Sequence, residues 1–345
     1  MHDCLEPFGW HPVYFLLRRA EQLIAAVPCY IKTNSYGELV FDHAWVNAYH
    51  RAGLDNSPKR GTAIPYTPAT GERFLFNQEL VPGDDEQQLL RETLVQVIQG
   101  FCSDQKLSSW HILFAEKEVL DGLDRRDIMQ RGDVQFHWQN DNYRDFDDFL
   151  SRLSSRKRKN LRKERRSVAQ QNLDIRMQTG GSLGADEWLR IHELYAGIYQ
   201  RKYGTATLTP AFFQHLGEYM PEQVLAAITR DQGEIVAASL FFRSDTHLYG
   251  RVWGCDQYFN NLHFECCYYQ GIDYCIREGL QCFDPGAQGE HKLARGFLPT
   301  LTWSGHWIAH PQFREAIEQF LQQELRYIDS YQSDLLDHSP YKATE

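Results

Sequence analysis

Three short apolar runs, residues 224–229, 235–242 and 247–253, follow one another through the turns Asp231-Gln-Gly233 and Ser244-Asp245. Connections this short are hairpins, so the runs must pair as an antiparallel meander. Two helices precede it. Residues 186–203 place Trp188, Ile191, Leu194, Tyr195 and Ile198 on one side, and 212–219 form a shorter helix entered after Pro210. A third helix, 262–278, carries Phe264, Cys267, Tyr268, Gly271, Ile272, Cys275 and Ile276 on one face, and Gly279 stands where such a helix stops. A strand at 281–284 ends at Pro285-Gly286; another at 300–308 leads into a last amphipathic helix beginning at Pro311.

The first half uses similar grammar less cleanly. Strands are predicted at 13–17, 23–30, 37–41 and 62–66, a helix at 87–101 and a strand at 110–115. Gln22-Leu-Ile-Ala-Ala26 echoes Glu234-Ile-Val-Ala-Ala238, each the second strand of its half. The expectation is a mixed α+β chain of two related domains, 1–150 and 151–345. The order helix, helix, meander, helix, strand, strand, helix is similar to the GNAT acyltransferase fold. Tandem GNAT-like domains would each hold a mostly antiparallel twisted sheet flanked by helices.

Composition excludes several classes. With 345 residues, 42% hydrophobic and 13% aromatic, the chain has ample material for a packed core, which rules out a disordered or collagen-like polymer. No run approaches the ~20 apolar residues of a membrane helix. Met1 is followed by His2, Asp3 and Glu6, not by a basic and then apolar leader, so a cytoplasmic protein is expected. The eight cysteines include no C-x-x-C pair and read as reduced structural thiols. The fourteen histidines form no H-E-x-x-H, so neither a metal site nor a tightly bound cofactor is expected.

The net charge of −10 is unevenly spread. Eight of the eleven residues 156–166 are basic, among them Arg156, Lys157, Arg158, Lys159 and Arg162, leaving a remainder at −17. Like charges along one helix repel. The segment 155–167 therefore reads as a basic helix at the entry to the second domain, serving either a phosphate-bearing partner such as tRNA or CoA or solvent alone.

A second concentration is Asp284-Pro-Gly-Ala-Gln-Gly-Glu-His-Lys-Leu-Ala-Arg-Gly-Phe297, a polar loop after a strand. Acyl transfer to an amine needs a proton acceptor and a donor to the tetrahedral oxyanion. Glu290 or His291 suits the first role and Lys292 the second, with Gln288 and Arg295 as substrate-binding candidates; the alternative is a charged surface turn. Alternation along 247–253 puts Tyr249, Arg251 and Trp253 on one face, as a substrate groove or a core edge. His263 and Glu265 sit in the first turn of the helix after Asn260-Asn261, as site residues or as dipole partners. The turn before that helix, Gly254-Cys-Asp-Gln-Tyr-Phe-Asn-Asn261, holds a single glycine, unlike the Q/R-x-x-G-x-G/A cradle that binds the pyrophosphate of CoA in GNAT enzymes.

Tyr36-Gly-Glu-Leu-Val-Phe-Asp42, Pro65-Tyr-Thr-Pro-Ala-Thr-Gly71, Val134-Gln-Phe-His-Trp138, Leu262-His-Phe-Glu265, Gly286-Ala-Gln-Gly-Glu-His-Lys292 and Arg295-Gly-Phe-Leu-Pro299 resemble the FemAB-like bacterial proteins across nearly the whole chain. The wider Fem family implies two GNAT-like domains and transfer of an amino acid from aminoacyl-tRNA to the amine of a peptidoglycan-precursor peptide. It also implies a transfer-step Lys in a late F-K-x-x-F-type turn, for which Lys292 is the nearest match. The family carries more sequence before Gly9-Trp-His-Pro12, so a shortened first domain is expected, and Asn56-Ser57 replaces an aromatic pair. The resulting expectation is an N-acyltransferase using acyl-CoA or aminoacyl-tRNA, with an amine-bearing acceptor. The alternatives are a non-catalytic peptidoglycan- or tRNA-binding protein, or a CoA enzyme with an atypical pyrophosphate loop.

Overall fold

The structure, a computed structural model, describes residues 2–40, 42–202, 204–287 and 289–342. The first half runs β1 (Trp10–Pro12), β2 (Phe15–Arg19), β3 (Gln22–Val27), β4 (Tyr30–Lys32), α1 (His43–Arg51), β5 (Lys59–Thr62), β6 (Leu75–Phe76), α2 (Asp84–Asp104), β7 (Ser109–Ala115), α3 (Lys117–Asp121), β8 (Met129–Gln139) and α4 (Phe146–Arg152). The basic helix α5 (Ser155–Ala169) and β9 (Asp174–Thr179) follow. Then come α6 (Ala185–Arg201), α7 (Pro210–Tyr219), the meander β10 (Val224–Asp231), β11 (Glu234–Arg243) and β12 (His247–Cys255), and the short α8 (Leu262–Phe264). A π-turn, Glu265–Tyr269, leads from α8 into α9 (Gln270–Glu278). The chain closes with β13 (Cys282–Asp284), a 3-10 turn Glu290–Arg295, β14 (Leu298–Ile308) and α10 (Pro311–Asp337).

Among the described residues, eleven strands form one sheet in the order β1-β4-β5-β7-β14-β8-β13-β12-β11-β10-β9, and β2-β3-β6 form a second. The meander pairs antiparallel, as its short turns require. The architecture is mixed α+β, with helices packed on the large sheet. β14 follows β13 in sequence yet pairs between β7 and β8, inside the strands of the first half. β13 meets β8 through only Cys282↔Gln139 and Phe283↔Trp138.

Several first-half expectations need correction. The strand predicted at 37–41 is a turn over 37–40, because Gly37 and Leu39 hold φ of 78° and 60°, which no strand carries; Phe41 lies outside the described residues. The strand predicted at 62–66 is Lys59–Thr62, stopped before Pro65 and the positive φ of Tyr66. The run at 13–17 is displaced to Phe15–Arg19, and 23–30 breaks into β3 and β4. The echoing segments both follow hairpins, but β3 lies in the small sheet and β11 in the large one.

Gly254 has a packing role. A Cβ built on it would fall 2.6 Å from Tyr195 N, against the backbone of α6. That neighbour is a helix in the core and cannot yield cheaply, so Gly254→Ala is expected to destabilise the fold by about 2 kcal/mol or more, read as a lowered denaturation midpoint.

Candidate functional site

β12 and β13 run parallel only over His247↔Cys282, Leu248↔Phe283 and Tyr249↔Asp284. Beyond that point they part. Pro285 has no N–H to continue the ladder, and Gly286 turns the chain at φ +88°. On the other strand the β11–β12 register steps from Leu240↔Val252 to Phe241↔Gly250, leaving Arg251 as the extra residue of a bulge. β12 past Tyr249 thus has no strand partner on the β13 side. A cavity of 290 Å³ occupies the opening, between residues 250–253 and 285–287, with His263, Cys267 and Tyr268 from the helix as its third wall.

Lys292 stands behind one wall. It is 2% exposed, and its Nζ donates to Gly286 O at 2.5 Å and Ala287 O at 3.4 Å, the carbonyls of the turn that faces the cavity. Burial holds the ammonium well below an ordinary lysine, to about 8, although nearby Asp284 opposes the shift. His263 lines the cavity directly, half-buried, with its ring edge-on to Trp253 at 5.4 Å. Burial, together with the charges of His291, Arg295 and Lys292, lowers its pKa to about 4, so it is a neutral imidazole at pH 7. His291 is exposed and hydrogen-bonds Tyr268 Oη through Nε2 at 2.8 Å, touching the cavity only through that tyrosine. Of the face expected from strand alternation, Arg251 and Trp253 line this cavity, whereas Tyr249 and Arg251 line a neighbouring one of 480 Å³. The bulge at Arg251 breaks the simple alternation.

Other candidates have different employment. Glu290, expected as a proton acceptor, is exposed and accepts a hydrogen bond from Tyr331 of α10 at 2.6 Å; it lines neither cavity. Glu265 is likewise engaged elsewhere. It is 4% exposed, held by Arg165 at 3.0 Å and by Gln270 Nε2 at 2.9 Å, and works as an internal anchor. Arg295 is committed to Glu164 Oε1 at 2.8 Å and His291 O at 2.7 Å, with its guanidinium 3.4 Å from the Phe264 ring centre. It braces the turn. Gln288 lies outside the described residues.

Helix α5 packs by Glu164 and Arg165 against the π-turn helix and the 3-10 turn, with Tyr269 Oη also donating to Glu164. Arg162 pairs with Asp147 at 2.8 Å. Arg156, Lys157, Arg158 and Lys159 form no ion pair among the described residues, and none lines either cavity. No group of His, Cys, Asp and Glu among the described residues has metal-site geometry. No helix there is long and apolar enough to cross a membrane. The eight cysteines are free thiols, six of them buried.

Sequence reasoning passed over several contributors. Asp284 is 3% exposed where the strands part, its Oδ1 accepting from Gly286 N at 2.8 Å and lying 3.7 Å from His137 Nε2. Thr67 receives a 3.3 Å hydrogen bond from Arg251 Nε across the two halves of the chain. The motifs at 65–71 and 134–138 contain Thr67 and His137, so the signal was present without a role attached.

Two variants probe these assignments. Arg165→Met leaves the buried Glu265 carboxylate without its cation and should cost about 3 kcal/mol of unfolding free energy in denaturant titration. For Lys292, the folded chain bears the desolvated ammonium at neutral pH. Between about pH 8 and the ordinary lysine value of 10.5, the unfolded chain keeps a proton that the folded chain gives up, so stability rises with pH. Wild type should therefore gain on Lys292→Met by up to about 3 kcal/mol across that window, measured by denaturation at each pH.

Residues 3–343 match the FemAB-like family model, described as peptidoglycan biosynthesis/recognition. Among solved structures, FemX superposes with a TM-score of 0.55 at 10% identity, over 92% of each chain. L-PGS from Bacillus licheniformis gives 0.54 at 8% identity, covering 90% of this chain and 89% of that one. The C-terminal domain of a putative lysylphosphatidylglycerol synthetase from Agrobacterium fabrum gives 0.52 at 9%, covering 94% and 90%. At such identities these likenesses speak to the fold. No match was found among curated proteins. The family model spans nearly every described residue, including the parted strands and the turn over Lys292, and the chain belongs to the FemAB-like family.

Proposed function

We propose that the chain is an N-acyltransferase acting in peptidoglycan-related chemistry, with the acyl carbonyl bound in the opening between β12 and β13. The observation that carries this reading is the parted pair itself. A strand whose backbone has no partner on one side offers N–H donors that cost no reorganisation when an oxyanion develops beside them. Attack by an acceptor amine forms the C–N bond, and collapse of the tetrahedral species expels the donor's sulfur or oxygen. His263, neutral and facing the cavity, relays the proton from the ammonium of the tetrahedral species to the leaving group without retaining it. The Lys292 ammonium holds the Gly286 and Ala287 carbonyls and places positive charge behind that wall.

The donor is an acyl-CoA or an aminoacyl-tRNA, and the acceptor is an amine such as that of a peptidoglycan-precursor peptide. Arg156, Lys157, Arg158 and Lys159 supply unpaired cations for the donor's phosphates. Binding through them weakens steeply with salt. Release of the leaving group from a panel of acyl-CoAs and charged tRNAs, in the presence of amine acceptors, tests the reading. His263→Ala should lower kcat/KM by about 10²-fold or more, while Glu290→Gln should stay within a few fold of wild type. Unchanged transfer in His263→Ala would remove the imidazole from the mechanism.

A further inference from the structure

The neighbouring 480 Å³ cavity differs in chemistry from the opening between the strands. It lies between segment 64–73 of the first half and α7, β11 and β12 of the second, with Leu5, Phe212, Leu216, Leu240 and Phe242 among its walls. Its size is that of a ligand site. Apolar walls of this extent hold water poorly and, when empty, lack dispersion partners on one side. The two cavities share Pro68, Gly250, Arg251, Val252 and Gly286, so the bulge on β12 divides a smaller lobe of mixed lining from a more apolar one.

Charge at the divide is specific. Arg73 lines the apolar lobe, but its nitrogens are used by Leu113 O at 2.8 Å, Ala69 O at 2.7 Å and Glu72 O at 3.0 Å. Arg251 uses only Nε, on Thr67 Oγ1, and its terminal nitrogens make no hydrogen bond among the described residues. They are absent from the sealed, unsatisfied polar atoms, so they reach open space. Asp284 also borders the lobe, but its Oδ1 already accepts from Gly286 N and it forms no ion pair with Arg251. A molecule fitting this arrangement has one long apolar part and one polar, electron-rich end.

We propose that the apolar lobe binds the hydrocarbon chain of a straight-chain acyl group, with its carboxyl-derived end at Arg251. The proposal rests on the acyl-transfer reading for what the chain is attached to, whereas its binding needs no turnover. It narrows the donor to one bearing a fatty acyl chain.

The test is titration of the full chain with butanoate, octanoate, dodecanoate and hexadecanoate, and with the matching alcohols, by calorimetry. Affinity should climb by up to about fourfold per methylene and level off once the lobe is full. Met220→Trp, at a lining position that is already partly exposed, should weaken dodecanoate by about tenfold and leave butanoate unchanged. Arg251→Met should abolish the preference for carboxylate over alcohol while keeping the dependence on chain length. Flat affinity across the wild-type series overturns the proposal, as does equal dodecanoate binding by Met220→Trp. A parallel transfer assay separates the two readings. Turnover of short-chain donors with a flat series removes the acyl lobe and keeps the transferase. A rising series with no transfer from any donor keeps the lobe and removes the transferase.

Discussion

The return of β14 to the first half governs the shape of everything around the site. A chain that must leave β13 and insert between β7 and β8 cannot extend β13 alongside β12. β13 is accordingly three residues long, and the segment 285–297 carries the chain from one neighbour of β8 to the other. Where β13 stops, β12 continues for six more residues with no partner on that side. The opening is thus a consequence of topology, and Pro285, Gly286 and the bulge at Arg251 adapt the local backbone to it. The same return makes the sheet continuous, so the halves share one hydrogen-bonded frame even though β8 and β13 touch through only two residue pairs.

Charge is used differently in the frame and at the opening. Arg165, Glu265 and Asp273 form one group and Glu164 and Arg295 another, tying α5 to the helix and turn that wall the cavity. Removing one member of such a group costs more than the assembled group contributes, because the remaining charge stays desolvated. The groups therefore fix geometry more than they add stability. Of the eight basic residues in the strip these groups take only Arg165, and Arg162 pairs with Asp147, so the run from Arg156 to Lys159 at the start of α5 is without an ion pair among the described residues.

The second half was legible because each of its elements obeys a local rule. Short turns forced the meander, a 3.6-residue period marked the helices, and Gly279 adopts the left-handed φ of 70° expected of a helix stop. The first half was less so. Trp10–Pro12 and Tyr30–Lys32 are three-residue strands too short to show alternation, and Met129–Gln139 went unrecognised although it is eleven residues long. That strand has Gly132 and Asp133 in its middle, and its partner β14 comes from the far end of the sequence, so nothing local announces it. Three adjacent loop residues illustrate the limit for the site. Sequence could mark Glu290, His291 and Lys292 as one polar cluster, but a 3-10 turn sends them to Tyr331, to Tyr268 and to the buried Gly286 carbonyl, respectively.

That divergence gives the site its electrostatic character. Only Lys292 of the three is turned inward, and its charge sits where water is excluded, so its field on the cavity is screened far less than that of an exposed lysine. The same field, with those of His291 and Arg295, keeps His263 unprotonated in a place where burial already disfavours the cation. A neutral imidazole and a fixed positive charge behind the turn are therefore mutually consistent, since the charge disfavours the imidazolium. The Gly286 and Ala287 carbonyls accept hydrogen bonds from Lys292 Nζ, and the turn they belong to lines the cavity. Asp284 Oδ1 accepts the Gly286 N–H and so braces the same turn. The buried ammonium is therefore tied, through two carbonyls, to the backbone that walls the opening.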